Sequence, residues 1–171
     1  MTTQKPPSQQ GCVWLEECVE LCDADPIFVD EQGVRATFQN PRRKKIRKIH
    51  YDRCLDTEAG ITKADYIVSL AGVVDIIVEL KGSHTNLSHA LEQVENTLER
   101  WQNHPMKSAK PAALIVFGVI YTRDDLPRRR PKALATIQSI KGDFRRRFEG
   151  KYRLLVHESG EKKFKFDDFL R

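Results

Sequence analysis

The sequence predicts an α/β fold in one domain, a mixed central sheet flanked by helices, on two grounds. Apolar stretches of strand length, at 64–70, 74–81 and 112–122, are interleaved with segments at 87–101 and 134–148 whose apolar residues recur every three or four positions. The 171 residues, 40% hydrophobic and 31% charged, are enough for one buried core, and no shift in composition marks a second domain.

Taken in order, residues 1–10 (MTTQKPPSQQ) lack a hydrophobic segment and read as a short disordered lead-in to a domain spanning 11–171. Leu15, Cys18, Val19 and Cys22 share one face of a short amphipathic helix predicted over 12–23, which Asp25-Pro26 ends. IFVDEQGVRATFQNP then holds one or two short strands broken at Gly33, and KIRKIHYD alternates enough for a half-exposed strand. The next two strands form a hairpin around Ala71-Gly72. Ser83, Thr85 or Asn86 can cap a helix carrying Leu87, Ala90, Leu91, Val94, Leu98 and Trp101. The run at 112–122 reads as a strand covered on both faces. Pro131 suits the first turn of a last helix, with Leu134, Ile137, Ile140, Lys141, Phe144 and Phe148 along its stripe. YRLLVHE and KKFKFD are closing strands.

Four cysteines, Cys12, Cys18, Cys22 and Cys54, form no C-x-x-C pair, so buried, reduced thiols are expected rather than a metal knuckle. No apolar run approaches the ~20 residues that cross a bilayer, so no membrane partner is expected and the setting is taken as cytoplasmic. The net charge of +5 is clustered: Arg42, Arg43, Lys44 and Lys45 in RRKKIRK, Arg128, Arg129 and Arg130, and the run 145–147. Such clusters can neutralise phosphates, which makes nucleic acid the expected partner. A Gly-rich phosphate loop, a nucleophile elbow and an HExxH motif are all missing from the sequence, which leaves other phosphotransferase and hydrolase classes without support.

The informative stretch is KADYIVSLAGVVDIIVELKGS, residues 63–83, where Asp65, Asp75, Glu79 and Lys81 interrupt an apolar run. Charged side chains are costly to bury unless paired or bound to a metal. Pairing the strands about Gly72 makes opposed residue numbers sum to 144, so Asp65 falls opposite Glu79, with Cβ atoms ~5 Å apart. Lys81 projects to the same side as Glu79, ~6–7 Å along the strand. Two carboxylates so placed repel unless a cation lies between them, and hard oxygen ligands suit Mg²⁺ or Mn²⁺. Asp75, near the turn, is expected to be a surface residue. His84 and His89 lack a third ligand for zinc.

Asp65, VELKG at 78–82 and the helix segment ALEQVENTL at 90–98 resemble the PD-(D/E)xK nuclease superfamily. NPRRKKIRKIHYDRCL is similar to small bacterial members, and the resemblance covers residues 40–122. It implies a restriction-endonuclease-like core and Mg²⁺- or Mn²⁺-dependent cleavage of DNA or RNA phosphodiesters. It places Asp65, Glu79 and the Leu80 carbonyl on the metal, Lys81 beside the attacking water and Gln93 next to the site. Members also carry a first-helix glutamate, for which Glu16, Glu17 and Glu20 are candidates, Glu20 preferred. His84 is placed for the scissile phosphate, and Tyr121 and Thr122 for the same rim. The proline of the motif is absent, since Ala64 precedes Asp65. A homodimer or a partner subunit is a family-level expectation. The alternative is an inactive nuclease-fold module that binds nucleic acid or a protein.

Overall fold

The computed structural model describes residues 5, 7–83, 86–118 and 126–170, the side chains of 126–133 aside. A seven-stranded sheet runs in the order β1-β2-β5-β6-β7-β8-β9, and a three-stranded sheet in the order β10-β4-β3. The strands are β1 Cys12–Glu16, β2 Val19–Cys22, β3 Ile27–Glu31, β4 Val34–Phe38, β5 Ile46–His50, β6 Tyr66–Leu70, β7 Val74–Lys81, β8 Pro111–Phe117, β9 Leu154–Glu158 and β10 Lys163–Phe164; the helices are α1 Leu87–Trp101 and α2 Leu126–Arg147. From β1 to β7 the neighbours are antiparallel, whereas β7, β8 and β9 are parallel, which makes the sheet mixed.

Strand alternation divides the core into two layers. Ile76, Val78, Leu80, Val68, Leu114 and Val116 pack under the small sheet with Phe38, Phe164 and Phe166. Ile67, Ile77, Ala113 and Ile115 face the helices, against Leu87, Val94, Leu98, Trp101, Ile140 and Phe144. β7 is buried at all but its last residue because it is flanked by strands and covered on both faces. The α1 stripe lies where its spacing places it, with Leu87, Ala90, Leu91, Val94, Leu98 and Trp101 all buried. Asn86 stands at the N-cap without a side-chain capping bond. The last helix begins at Leu126, so Pro127 rather than Pro131 occupies its first turn, and Leu134 is exposed rather than part of the stripe.

The N-terminal segment departs from expectation. Residues 12–22 form a β-hairpin, not a helix, with Cys12 opposite Cys22 and β2 extending onto β5. A segment this short makes a marginal helix on its own, whereas the strands gain a partner ladder and a covalent clasp. The cysteines are oxidised: Cys12 bonds Cys22 with Cα atoms 4.1 Å apart, and Cys18 bonds Cys54 at 5.7 Å. The expectation of reduced thiols is therefore wrong; the four-residue spacing of Cys18 and Cys22, which suggested a helix face, serves two different bridges. Such bridges persist where thiols are oxidised. Among the described residues no helix is long and apolar enough to cross a membrane.

The Cys18–Cys54 bridge spans 36 residues and ties the β1–β2 turn to the loop after β5. Replacing both cysteines by serine is expected to lower stability by about 3–4 kcal/mol, measured by urea unfolding, because the unfolded chain regains that loop's freedom. Thiol titration of the denatured, unreduced protein is expected to find no free cysteine.

Candidate active site

The charged end of β7 is held in place from two directions. Tyr66 pairs with Val78 and Val68 with Ile76, the register expected from a turn centred on Gly72. Gly72 has φ +71°, a conformation glycine adopts without a Cβ penalty. The segment before β6 is strapped by polar residues of α1: Asn96 Nδ2 donates to the Thr62 carbonyl (3.1 Å), Gln93 Nε2 to the Lys63 carbonyl (3.1 Å), and Ala64 N–H to Thr97 Oγ1 (2.8 Å). Lys63, itself buried, donates to the carbonyls of Asp56 (2.8 Å) and Glu58 (2.6 Å). These bonds leave little freedom to the residue that follows Ala64.

That residue, Asp65, lies against Glu79. The Asp65 N–H donates to Glu79 Oε2 (3.1 Å), and Asp65 Oδ2 accepts the Leu80 N–H (3.0 Å). Lys81 Nζ lies 2.9 Å from Glu79 Oε1. In an extended strand the N–H and C=O of one residue point to the same edge, so the Leu80 carbonyl faces the gap that Asp65 borders. The structure thus brings Asp65, Glu79, Leu80 and Lys81 together.

Burial dominates the electrostatics here. It pushes the Glu79 carboxyl up to about 8, helped by the negative charge of Asp65 and opposed by Lys81. It pushes Asp65 up to about 6, with the Leu80 N–H acting the other way and Glu31 adding to the rise. Both groups bind a proton more tightly in the folded chain than in the unfolded one. Their contribution to stability is therefore full below about pH 4 and is lost as pH rises through about 6 and then about 8. In metal-free buffer, chemical unfolding across this range is expected to show stability falling with pH, by about 1.4 kcal/mol per pH unit for a fully titrating group. Glu79→Gln is expected to flatten the upper part of that fall.

Among the described residues no three His, Cys, Asp or Glu side chains gather as a metal cluster. What the end of β7 and the residue before β6 offer together is two carboxylates and a backbone carbonyl, a hard oxygen set that a Mg²⁺-like ion would complete with water. A second feature fits a missing partner: Gln93 Oε1 is buried without a hydrogen bond, although its amide nitrogen is engaged. Buried polar atoms are ordinarily satisfied.

Other expected residues lie elsewhere. Glu20, on β2, accepts from His50 Nε2 (2.7 Å) and lies 3.9 Å from Lys48 Nζ. Its pairing with Lys48, and of Lys48 with Val68, places it three strands from β7 on the face opposite Glu79, because the expected first helix is a hairpin. It does not join the pair. Glu16 and Glu17 are exposed on that hairpin. Arg42, Arg43, Lys44 and Lys45 are exposed just before β5, whose start lies level with the β6–β7 turn, at the end of the sheet away from Asp65 and Glu79. His84, Tyr121 and Thr122, and the side chains of Arg128, Arg129 and Arg130, lie outside the described residues.

Asp75 is a correction: it is buried, not a surface residue, and five donors converge on it. Glu31 was not expected near the site. The Tyr66 hydroxyl donates to the Asp30 carbonyl (2.8 Å) and so draws the end of β3 toward the start of β6. A Cβ on Gly118 would meet the Gly82 carbonyl at 2.7 Å and a Val34 methyl at 3.3 Å, which places the β3–β4 turn beside the end of β7. The acidic turn DEQG was the available signal, but its neighbour in space is 34 residues or more away in sequence. No protein-family model matches the chain, and neither a curated protein nor a solved structure does.

Proposed function

We propose that the chain is a metal-dependent nuclease of the PD-(D/E)xK kind, with a restriction-endonuclease-like core, that hydrolyses phosphodiester bonds of DNA or RNA. The observation that carries the reading is the opposition of Asp65 and Glu79 at the end of a buried strand, with Lys81 Nζ 2.9 Å from Glu79. A surface ion pair needs neither the burial nor the second carboxylate.

In this reading Asp65, Glu79 and the Leu80 carbonyl hold Mg²⁺ or Mn²⁺. The ion, when bound, supplies Lewis acidity toward the phosphate and makes water a better nucleophile. Lys81 orients that water and stabilises charge building on the phosphate oxygens. Gln93 acts as a positioning residue: it fixes Lys63, two residues before Asp65, and its free Oε1 is a further acceptor beside the site.

The test is incubation of purified protein with panels of single- and double-stranded DNA and RNA, with Mg²⁺, with Mn²⁺ and with EDTA. Metal-dependent cutting is expected. Its absence across the panel, or equal cutting by Lys81→Ala, would overturn the assignment.

A further inference from the structure

A cleft of about 630 Å³ opens at the opposite end of the sheet, where β7 and β8 begin at Val74 and Pro111. Val74 and Glu79 are five residues apart on β7, about 17 Å at the usual strand rise, so cleft and carboxylates are separate sites. Five cations from three parts of the chain line it: Lys110 before β8, Lys141 and Arg145 one turn apart on α2, and Lys151 and Arg153 in the connection to β9. Among the described residues its lining contains no aspartate or glutamate. Lys151 lies 3.7 Å from the exposed Glu149, and among the described residues Lys110, Lys141 and Arg145 form no ion pair.

Surface lysines and arginines are ordinarily interspersed with acids, as Arg146 is with Asp143 and Arg147 with Glu95 and Glu99 on the same helix turn. Here like charges converge on a concavity and repel one another, a cost that an anion removes. The volume is in the range of small-ligand sites, about 300–1,000 Å³, larger than one phosphate needs. Tyr152, half-buried, adds one aromatic face to the wall, while Phe144 and Phe169 lie buried beneath it; a cationic groove with an aromatic face is what sequence-tolerant strand binding uses. The exposed Arg42–Lys45 run stands at this same end of the sheet, before β5, two strands from β7 and about 10 Å across the ladder.

We propose that this cleft binds consecutive phosphates of a nucleotide chain, as an anchoring site remote from the carboxylates. The proposal rests on the preceding reading for nucleic acid as partner, and it does not require hydrolysis at Glu79. The strand would enter the cleft between α2 and the start of β8 and continue toward the Arg42–Lys45 loop.

The experiment is fluorescence anisotropy in EDTA with a labelled single-stranded oligonucleotide, and, in a separate arm, with a labelled nucleoside triphosphate, all in the Glu79→Gln background so that cleavage of the probe cannot confuse the readout. Lys141 and Arg145 are exposed, so K141E/R145E is expected to keep the native circular dichroism spectrum. It is expected to weaken oligonucleotide binding roughly 10-fold or more and to reduce the salt slope by about 2. R53E/K163E, an equal charge change at exposed residues outside the cleft, is expected to cost less than about 3-fold. A loss confined to the triphosphate overturns strand binding and assigns the cleft to a free nucleotide. Unchanged binding of both probes, or equal weakening by both double variants, overturns the site. Metal-dependent cutting by the protein with Glu79 intact would still leave the nuclease reading standing after such a result.

Discussion

Lys81→Ala is expected to slow metal-dependent cutting by about 10²–10³-fold while leaving the dependence on Mg²⁺ concentration nearly unchanged. The ammonium lies 2.9 Å from Glu79 Oε1 but is not itself an oxygen ligand, so its loss should fall on kcat rather than on metal affinity. Glu79→Gln removes a ligand charge and is expected to reduce activity at least as far and to raise the Mg²⁺ requirement. The two variants also differ in stability. Glu79 is 1% exposed beside the half-buried carboxylate of Asp65, and burial already favours its neutral form, so the neutral amide costs little and the metal-free variant is expected to melt at or above the wild-type temperature. A purely structural ion pair predicts the reverse, since breaking a buried pair costs about 3–5 kcal/mol. Melting of metal-free Glu79→Gln near neutral pH therefore separates a site kept for chemistry from one kept for folding. A marked drop in melting temperature would sink the metal-site reading even before an activity assay.

How much of this could be read from residues alone depended on the range of the interactions. The β6–β7 register was legible because alternation and one turn glycine are local, and the side-chain period of two leaves few alternatives. The α1 stripe was legible for the same reason. Residues 12–22 were not, because their apolar and cysteine spacing fits a helix face and a strand pair equally. What decides between them is β5, distant in sequence, and the partner cysteine at 54. Glu20 followed that error: on a helix it could have reached the carboxylates, whereas on β2 it faces the other layer. Glu31 was missed because its approach depends on how the small sheet docks, held by contacts such as Tyr66 to the Asp30 carbonyl. The basic runs were visible as charge, but their position was not. Only the topology shows that Arg42–Lys45 stand at the far end from Glu79, which sets this charge apart from the candidate site in space.

Asp75 is the other residue whose replacement is expected to have a large effect, on stability rather than activity. Its side chain is fully buried. Oδ1 accepts from the hydroxyls of Ser69 (2.6 Å) and Ser108 (2.9 Å), and Oδ2 from Trp101 Nε1 (2.9 Å) and the N–H groups of Ser108 (2.9 Å) and Ala109 (3.2 Å). One carboxylate thus joins β6, the end of α1 and the loop that leads into β8. Asp75→Ala leaves a cavity and strands several donors, each worth about 1–3 kcal/mol when buried and unpaired, so a loss of about 3–5 kcal/mol is expected in urea unfolding. Asp75→Asn tests the cause. It keeps the shape, its carbonyl oxygen can take the three N–H donors, and its NH₂ group then meets the two hydroxyls, which can accept, so it is expected to recover most of what the alanine variant loses. If the asparagine variant is as unstable as the alanine variant, the charge of the carboxylate rather than its shape and acceptor oxygens holds this corner together. Because the same loop carries Lys110 into the basic cleft, the destabilised alanine variant is also expected to bind oligonucleotide more weakly without any change at Asp65, Glu79 or Lys81.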